Sequence, residues 1–117
     1  MMPPTAIQPV MPTTQVEIAE ERLSRDVADL TATVRTATSP FDIRRVEAHV
    51  TVDERRVRSL RALPCHRQGR SEEDVRWTLA MAYDELAAAY RRRGQHDRAA
   101  WATLRASEER NDLAVAA

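Results

Sequence analysis

The side chains with the widest chemical repertoire in this chain are Cys65 and His66. They are adjacent in the stretch LPCHRQGR, with His49 and His96 far away in sequence. A structural metal site in a small protein announces itself by two ligand pairs at short spacing, and one pair is present, so no metal site is expected. A cysteine nucleophile needs a histidine held beside it by the fold, and the spacing supplies no such arrangement. Cys65 is the lone cysteine, which excludes an intramolecular disulfide. All 18 basic residues are arginine. Without lysine there is no Schiff-base or phosphate-loop lysine, and with Gly69 and Gly94 as the only glycines there is no Gly-rich phosphate cradle. No catalytic residue and no cofactor are expected, and the chain reads as a non-enzyme.

The arginines themselves are the next candidates. Net charge is zero, yet residues 41–70 carry eight arginines against four acids. Arg44, Arg45, Arg55, Arg56, Arg58 and Arg61 fall in one segment, and on a helix Arg44, Arg55 and Arg58 share a side while Arg45, Arg56 and Arg61 splay away. Clustered cations of this kind suit phosphate contact, which makes Arg44, Arg45, Arg55 and Arg58 candidates for nucleic-acid binding. The neutral whole, and the lack of a helix-turn-helix or aromatic stacking platform, favour a protein-facing or solvated surface instead. Trp77 is the other candidate. It stands two residues off the Val75–Leu79 stripe and so faces another side of its helix, and exposed tryptophan is enriched in binding hot spots.

These residues must be placed by helices. Thr14 and Glu17 have capping-box spacing, and Val16, Ala19, Leu23, Val27, Leu30, Val34 and Ala37 recur at three or four residues. So sustained and narrow a stripe suits a coiled-coil-like seam, which makes Leu23, Val27, Leu30 and Val34 the expected self-association surface. Ser39-Pro40 ends one helix and starts the next, where Ile43, Val46, Val50, Val57 and Leu60 form a stripe. Val46–Val52 also alternates as a strand would, and Thr51 with Glu54 offers a second capping box. Helix is the favoured reading, with a kink near Thr51. Leu63 to Arg70 is a loop marked by Pro64 and Gly69. Ser71 caps a third helix running to about Arg93, Gly94 ends it, and Asp97 is placed to cap a fourth running to about Arg110. Leu86 and Tyr90 are expected to pack against the helix carrying Ala99 and Leu104, whose inner face is read as Ala100, Leu104 and Trp101. Residues 1–13, rich in proline and threonine, are expected to be a disordered tail, 14–111 one helical domain, and 112–117 a frayed end.

The segment Ala80–Asn111 resembles one tetratricopeptide (TPR) repeat, a pair of antiparallel helices. Tyr83, Leu86, Ala87, Tyr90, Gly94, Ala99 and Ala106 stand at the family's signature positions. His96, Thr103 and Asn111 replace the aromatic, large apolar residue and proline usual there. The resemblance implies a protein-binding helical hairpin whose groove-facing side corresponds to Met81, Asp84, Ala88, Arg91 and Arg92. Members that clamp peptide carboxylates use lysine and asparagine on that side, and Asp84 and Ala88 depart from this. One such unit does not bury its own apolar face, so either the N-terminal half or another chain must cover it.

The expected fold is therefore all-α, a small bundle of about four helices in two hairpins. The expected function is that of a non-enzymatic adaptor, assembly or regulatory factor that self-associates or docks another protein or peptide through Trp77, Met81, Asp84, Ala88, Arg91 and Arg92. A nucleic-acid-associated regulator is the alternative, and no small-molecule substrate is expected. Apolar runs too short to span a bilayer, and no signal-peptide pattern, make a cytoplasmic location without membrane contact the default expectation. The bias to arginine and alanine suggests an actinobacterial or phage genome.

Overall fold

A computed structural model describes the backbone of residues 11–63 and 72–116, and the side chains of 15–63 and 73–111. Four helices follow one another: α1 (Met11–Thr36), α2 (Pro40–Arg61), α3 (Glu72–Arg92) and α4 (His96–Ala116). They form two antiparallel hairpins, α1 on α2 and α3 on α4, joined where α1 packs on α3.

The breaks between helices have local causes. Ser39 sits in extended backbone and its hydroxyl oxygen accepts from the Phe41 N–H, while Pro40 opens α2 at a position whose N–H has no helical partner to lose. Gly94 adopts a φ of 77°. That lets its N–H reach Arg91 O and the Gln95 N–H reach Tyr90 O, the paired bonds of a Schellman turn. The helices differ from the sequence reading at three ends and within one interior. α1 begins at Met11 rather than Thr14, because a proline in the first turn, Pro12, interrupts no helical bond. Thr14 therefore lies inside the helix rather than at its cap. α2 continues through Val46–Val52 with no strand and no second cap, the Thr51 hydroxyl donating back to Glu47 O. α4 starts at His96 and extends to Ala116, so Asp97 lies in the first turn, where its charge complements the dipole, and residues 112–116 continue the helix. Cys65, His66 and Ser71 lie outside the described residues, as does the tail 1–10.

The α1 stripe supplies the core. Leu23, Val27, Leu30 and Val34 are buried together with Ile43, Val50 and Val57 of α2 and Val75, Leu79, Tyr83, Leu86 and Tyr90 of α3. These four α1 residues were expected to form a self-association surface; they are instead buried inside the single chain. Sequence periodicity reports that a face is covered, not by which chain. The N-terminal hairpin thus supplies the cover that the C-terminal one needs.

α1 and α3 run in the same direction. Glu20, Ser24 and Ala28 share a groove with Val75, Thr78 and Leu79 near their beginnings. At the other end Arg93 donates to Val34 O and Ala37 O at 2.8 and 2.7 Å. Arg93 so satisfies carbonyls at the end of α1 and brings a cation to the negative end of its dipole. α4 covers α3 with Ala99, Ala102 and Ala106, and small side chains let the two helices approach closely. Ala100 and Leu104, expected on that inner face, are exposed, and Trp101 is half-buried.

Candidate functional site

α2 and α4 make no close backbone approach, and long side chains span the gap between them. The spanning residues recur at heptad spacing: Glu47, Glu54 and Arg61 on α2, Tyr83 and Tyr90 on α3, Arg98 and Arg105 on α4. They form three rungs. In the first, Arg98 Nε donates to Glu47 Oε2 at 3.1 Å and the Tyr90 hydroxyl donates to the same carboxylate. In the second, Arg105 Nε lies 2.8 Å from Glu54 Oε2, and the Tyr83 hydroxyl donates to it too. In the third, Arg61 bonds Glu20 of α1 at 2.9 Å and makes a two-armed contact with Glu109 at 3.1 and 3.2 Å. Arg76 approaches Glu109 at 3.7 Å.

Burial, and then the neighbouring Glu54 charge, hold the Tyr83 phenol well above its ordinary pKa; burial and Glu47 do the same for Tyr90. Both remain protonated donors. The rings are used as well, Trp101 meeting Tyr83 edge-on at 6.0 Å and the Arg98 guanidinium lying 4.3 Å from the centre of the Trp101 ring. A cleft of 550 Å³ opens over the second and third rungs, lined by Glu54, Arg58, Arg61, Arg76, Arg105 and Glu109 among others. Its inner guanidiniums are already bonded to glutamates, so the ladder fastens the hairpins together and leaves little free charge for a ligand. Arg61, read as part of a basic surface, belongs to this ladder.

A second polar pair escaped the sequence reading. Asp53 of α2 is buried beside Asp26 of α1, and its Oδ2 has no hydrogen-bond partner among the described residues. Burial first, and then Asp26 beside it, push the Asp53 carboxyl up to about 6. A neighbouring negative charge and burial both favour the neutral form of Asp53. No group of three or more His, Cys, Asp or Glu that could hold a metal ion is found among the described residues.

The residues nominated for partner contact divide between two outward faces. Trp77, Met81, Asp84, Ala88 and Arg91 step by four and three along α3 and lie on one side of it, with Arg92 adjoining. Trp77 is 52% exposed, and Met81, Arg91 and Arg92 are also exposed. Asp84 and Ala88 are half-buried. Arg110 of α4 pairs with Asp84 and lies 5.8 Å from the Trp77 ring centre, bracing this face from the neighbouring helix. Arg44, Arg45, Arg55 and Arg58 are all exposed on α2, with Arg58 at the rim of the cleft over the ladder. The structure brings neither face to the other.

The ladder was missed because its partners lie roughly 30 to 50 residues apart in the chain. Its trace was nonetheless there, in glutamates, tyrosines and arginines recurring every seven residues on three helices. Compared with protein-family models, with curated proteins and with solved structures, the chain matches none.

Proposed function

We propose that this protein is a non-enzymatic interaction module that reads another protein through the outward face of α3, with Trp77 as the anchor. The observation that carries the proposal is Trp77 itself. A large aromatic stands half in solvent beside the exposed Met81, in a chain that buries both its tyrosines. Arg110 and Asp84 hold the surroundings of the ring in place, and a braced aromatic binds at lower entropic cost than a mobile one. Arg91 and Arg92 extend the face and favour a partner segment with acidic groups at that end. The resemblance of α3–α4 to a TPR hairpin is consistent with this reading. Self-association through Leu23, Val27, Leu30 and Val34 is not part of it, since a second copy meets none of them unless the fold opens.

The test is affinity capture from the native host with wild-type and Trp77→Ala protein, read by mass spectrometry. A protein retained by the first and lost from the second supports the module; identical captures contradict it. A second reading, nucleic-acid association, draws on Arg44, Arg55 and Arg58, which sit exposed on one flank of α2 with no acidic partner among the described residues. Steeply salt-dependent affinity for DNA or RNA, abolished by reversing Arg55 and Arg58, is its signature.

A further inference from the structure

The sequence of α2 carries an eleven-residue repeat, part of which falls on its outer face. Phe41, Asp42, Arg44, Arg45 and Val46 are followed eleven residues later by Val52, Asp53, Arg55, Arg56 and Val57, and Leu63 stands eleven after Val52. Eleven residues make three helical turns and a small remainder, so a position and its repeat lie almost in line, about 16 Å apart. Phe41, 76% exposed, and Val52, 61% exposed, therefore form one row along the helix, which Leu63 closes just past its end. Arginines flank the row on both sides, Arg44 and Arg55 on one, Arg45 and Arg56 on the other, with Arg58 further round at the rim of the cleft. All five are exposed.

The charge on this face is nearly uncompensated. Of the four acids in α2, Glu47 and Glu54 belong to the ladder and Asp53 is buried against α1. Asp42 alone faces outward, 3.8 Å from Arg45. Arg44, Arg55, Arg56 and Arg58 make no ion pair among the described residues.

We infer that this face of α2 lies on an anionic lipid surface, its arginines on headgroup phosphates and Phe41, Val52 and Leu63 dipping between them. Three features choose this occupant over others. α2 is an edge helix, packed by its backbone on α1 alone, so its outer side is a convex ridge that suits a flat, yielding surface. A partner helix needs an apolar contact every three or four residues, and here the intervals between apolar residues carry arginine pairs that such a seam would bury. A nucleic acid would take the arginines but leave three apolar side chains against phosphates. At a lipid surface both are served, because arginine stems lie along the apolar boundary while their heads reach phosphate.

This is peripheral contact; no helix among the described residues is long and apolar enough to cross a membrane. It departs from the expectation of no membrane contact, which rested on the shortness of the apolar runs. It also uses α2, whereas the proposed protein-reading face is on α3, so each stands or falls alone.

Co-sedimentation of the full chain with phosphatidylglycerol–phosphatidylcholine vesicles, with pure phosphatidylcholine vesicles and with duplex DNA tests it. Binding to the anionic vesicles is expected, at least about tenfold stronger than to the neutral ones and weakening with salt. The double change Phe41→Ser and Val52→Ser should lower it by about tenfold or more without altering the salt slope. Arg55→Gln with Arg56→Gln should lower it by about thirtyfold and flatten the slope. All four side chains are exposed, and unchanged helicity by circular dichroism confirms that the variants remain folded. Failure to bind anionic vesicles, equal binding to neutral ones, or DNA binding indifferent to Phe41 and Val52 would overturn the inference.

Discussion

The two hairpins meet along two seams built from opposite materials. Between α1 and α3 the seam is apolar, with Leu23, Val27, Leu30 and Val34 in one buried cluster with Leu79, Leu86 and Tyr90. Between α2 and α4 the helices stay apart and carboxylates, guanidiniums and phenols bridge the gap. The apolar seam supplies the driving force, because burial is favourable wherever it occurs. It is poor at fixing how far one hairpin slides along the other, since one methyl group serves nearly as well as the next. The ladder has the opposite character. Its net contribution is modest after desolvation, but a shift by one turn would strand each charge, so it specifies register. The ladder's carboxylates also grade along its length, the Glu109 side chain 3% exposed, that of Glu54 11% and that of Glu47 21%.

That gradient orders the expected effects. Arg61→Ala should be the most damaging ladder change, about 3–5 kcal/mol by denaturant unfolding, because Glu20 and Glu109 are left buried without their main counter-charge. A cost near zero would show that water already reaches the third rung. Leu86→Ala on the apolar seam should cost about 2–5 kcal/mol through lost transfer energy and the cavity left behind.

Asp53 gives an effect of opposite sign. Its folded pKa, about 6, lies above the ordinary value of 3.8. Its stabilising contribution is therefore complete below the ordinary value and is lost as pH rises through 6. Asp53→Asn keeps a neutral partner for Asp26 at every pH. The variant should gain about 1–2 kcal/mol over wild type at neutral pH and lose that advantage towards about pH 4. A difference independent of pH would contradict a raised Asp53 carboxyl. At the shallow end of the ladder, Arg98→Gln should cost less than about 1 kcal/mol, since a pair this exposed is screened by water. If it cost as much as Arg61→Ala, the gradient would be absent.

What the sequence revealed and what it hid follow the same division. Ser39-Pro40 and Gly94 mark helix boundaries through local chemistry, and the stripes of α1, α2 and α3 identify their inward faces correctly. α4 is the exception. Its buried face is alanine, which carries little periodic signal, and Leu104 looked like the inward residue because it is large and apolar. Turning Arg98, Arg105 and Glu109 towards α2 turns Leu104 out to solvent. An ion pair between distant helices leaves no local mark, and periodicity in α1 could not say whether α3 or a second chain would cover it. Of the candidate faces, the positions on α3 and α2 were legible from spacing, while the bracing of Trp77 by Arg110 needed the fold.

Both seams face inward, and the aromatic face of α3 and the basic face of α2 lie outside. The most direct measurement is a titration of the captured partner against three proteins: wild type, Trp77→Ala, and the double reversal Arg55→Glu with Arg58→Glu. Loss of a central aromatic anchor should weaken binding by about thirtyfold, and the reversal should change it by less than about twofold. Full affinity in Trp77→Ala together with lost affinity in the reversal would contradict a protein-reading face on α3.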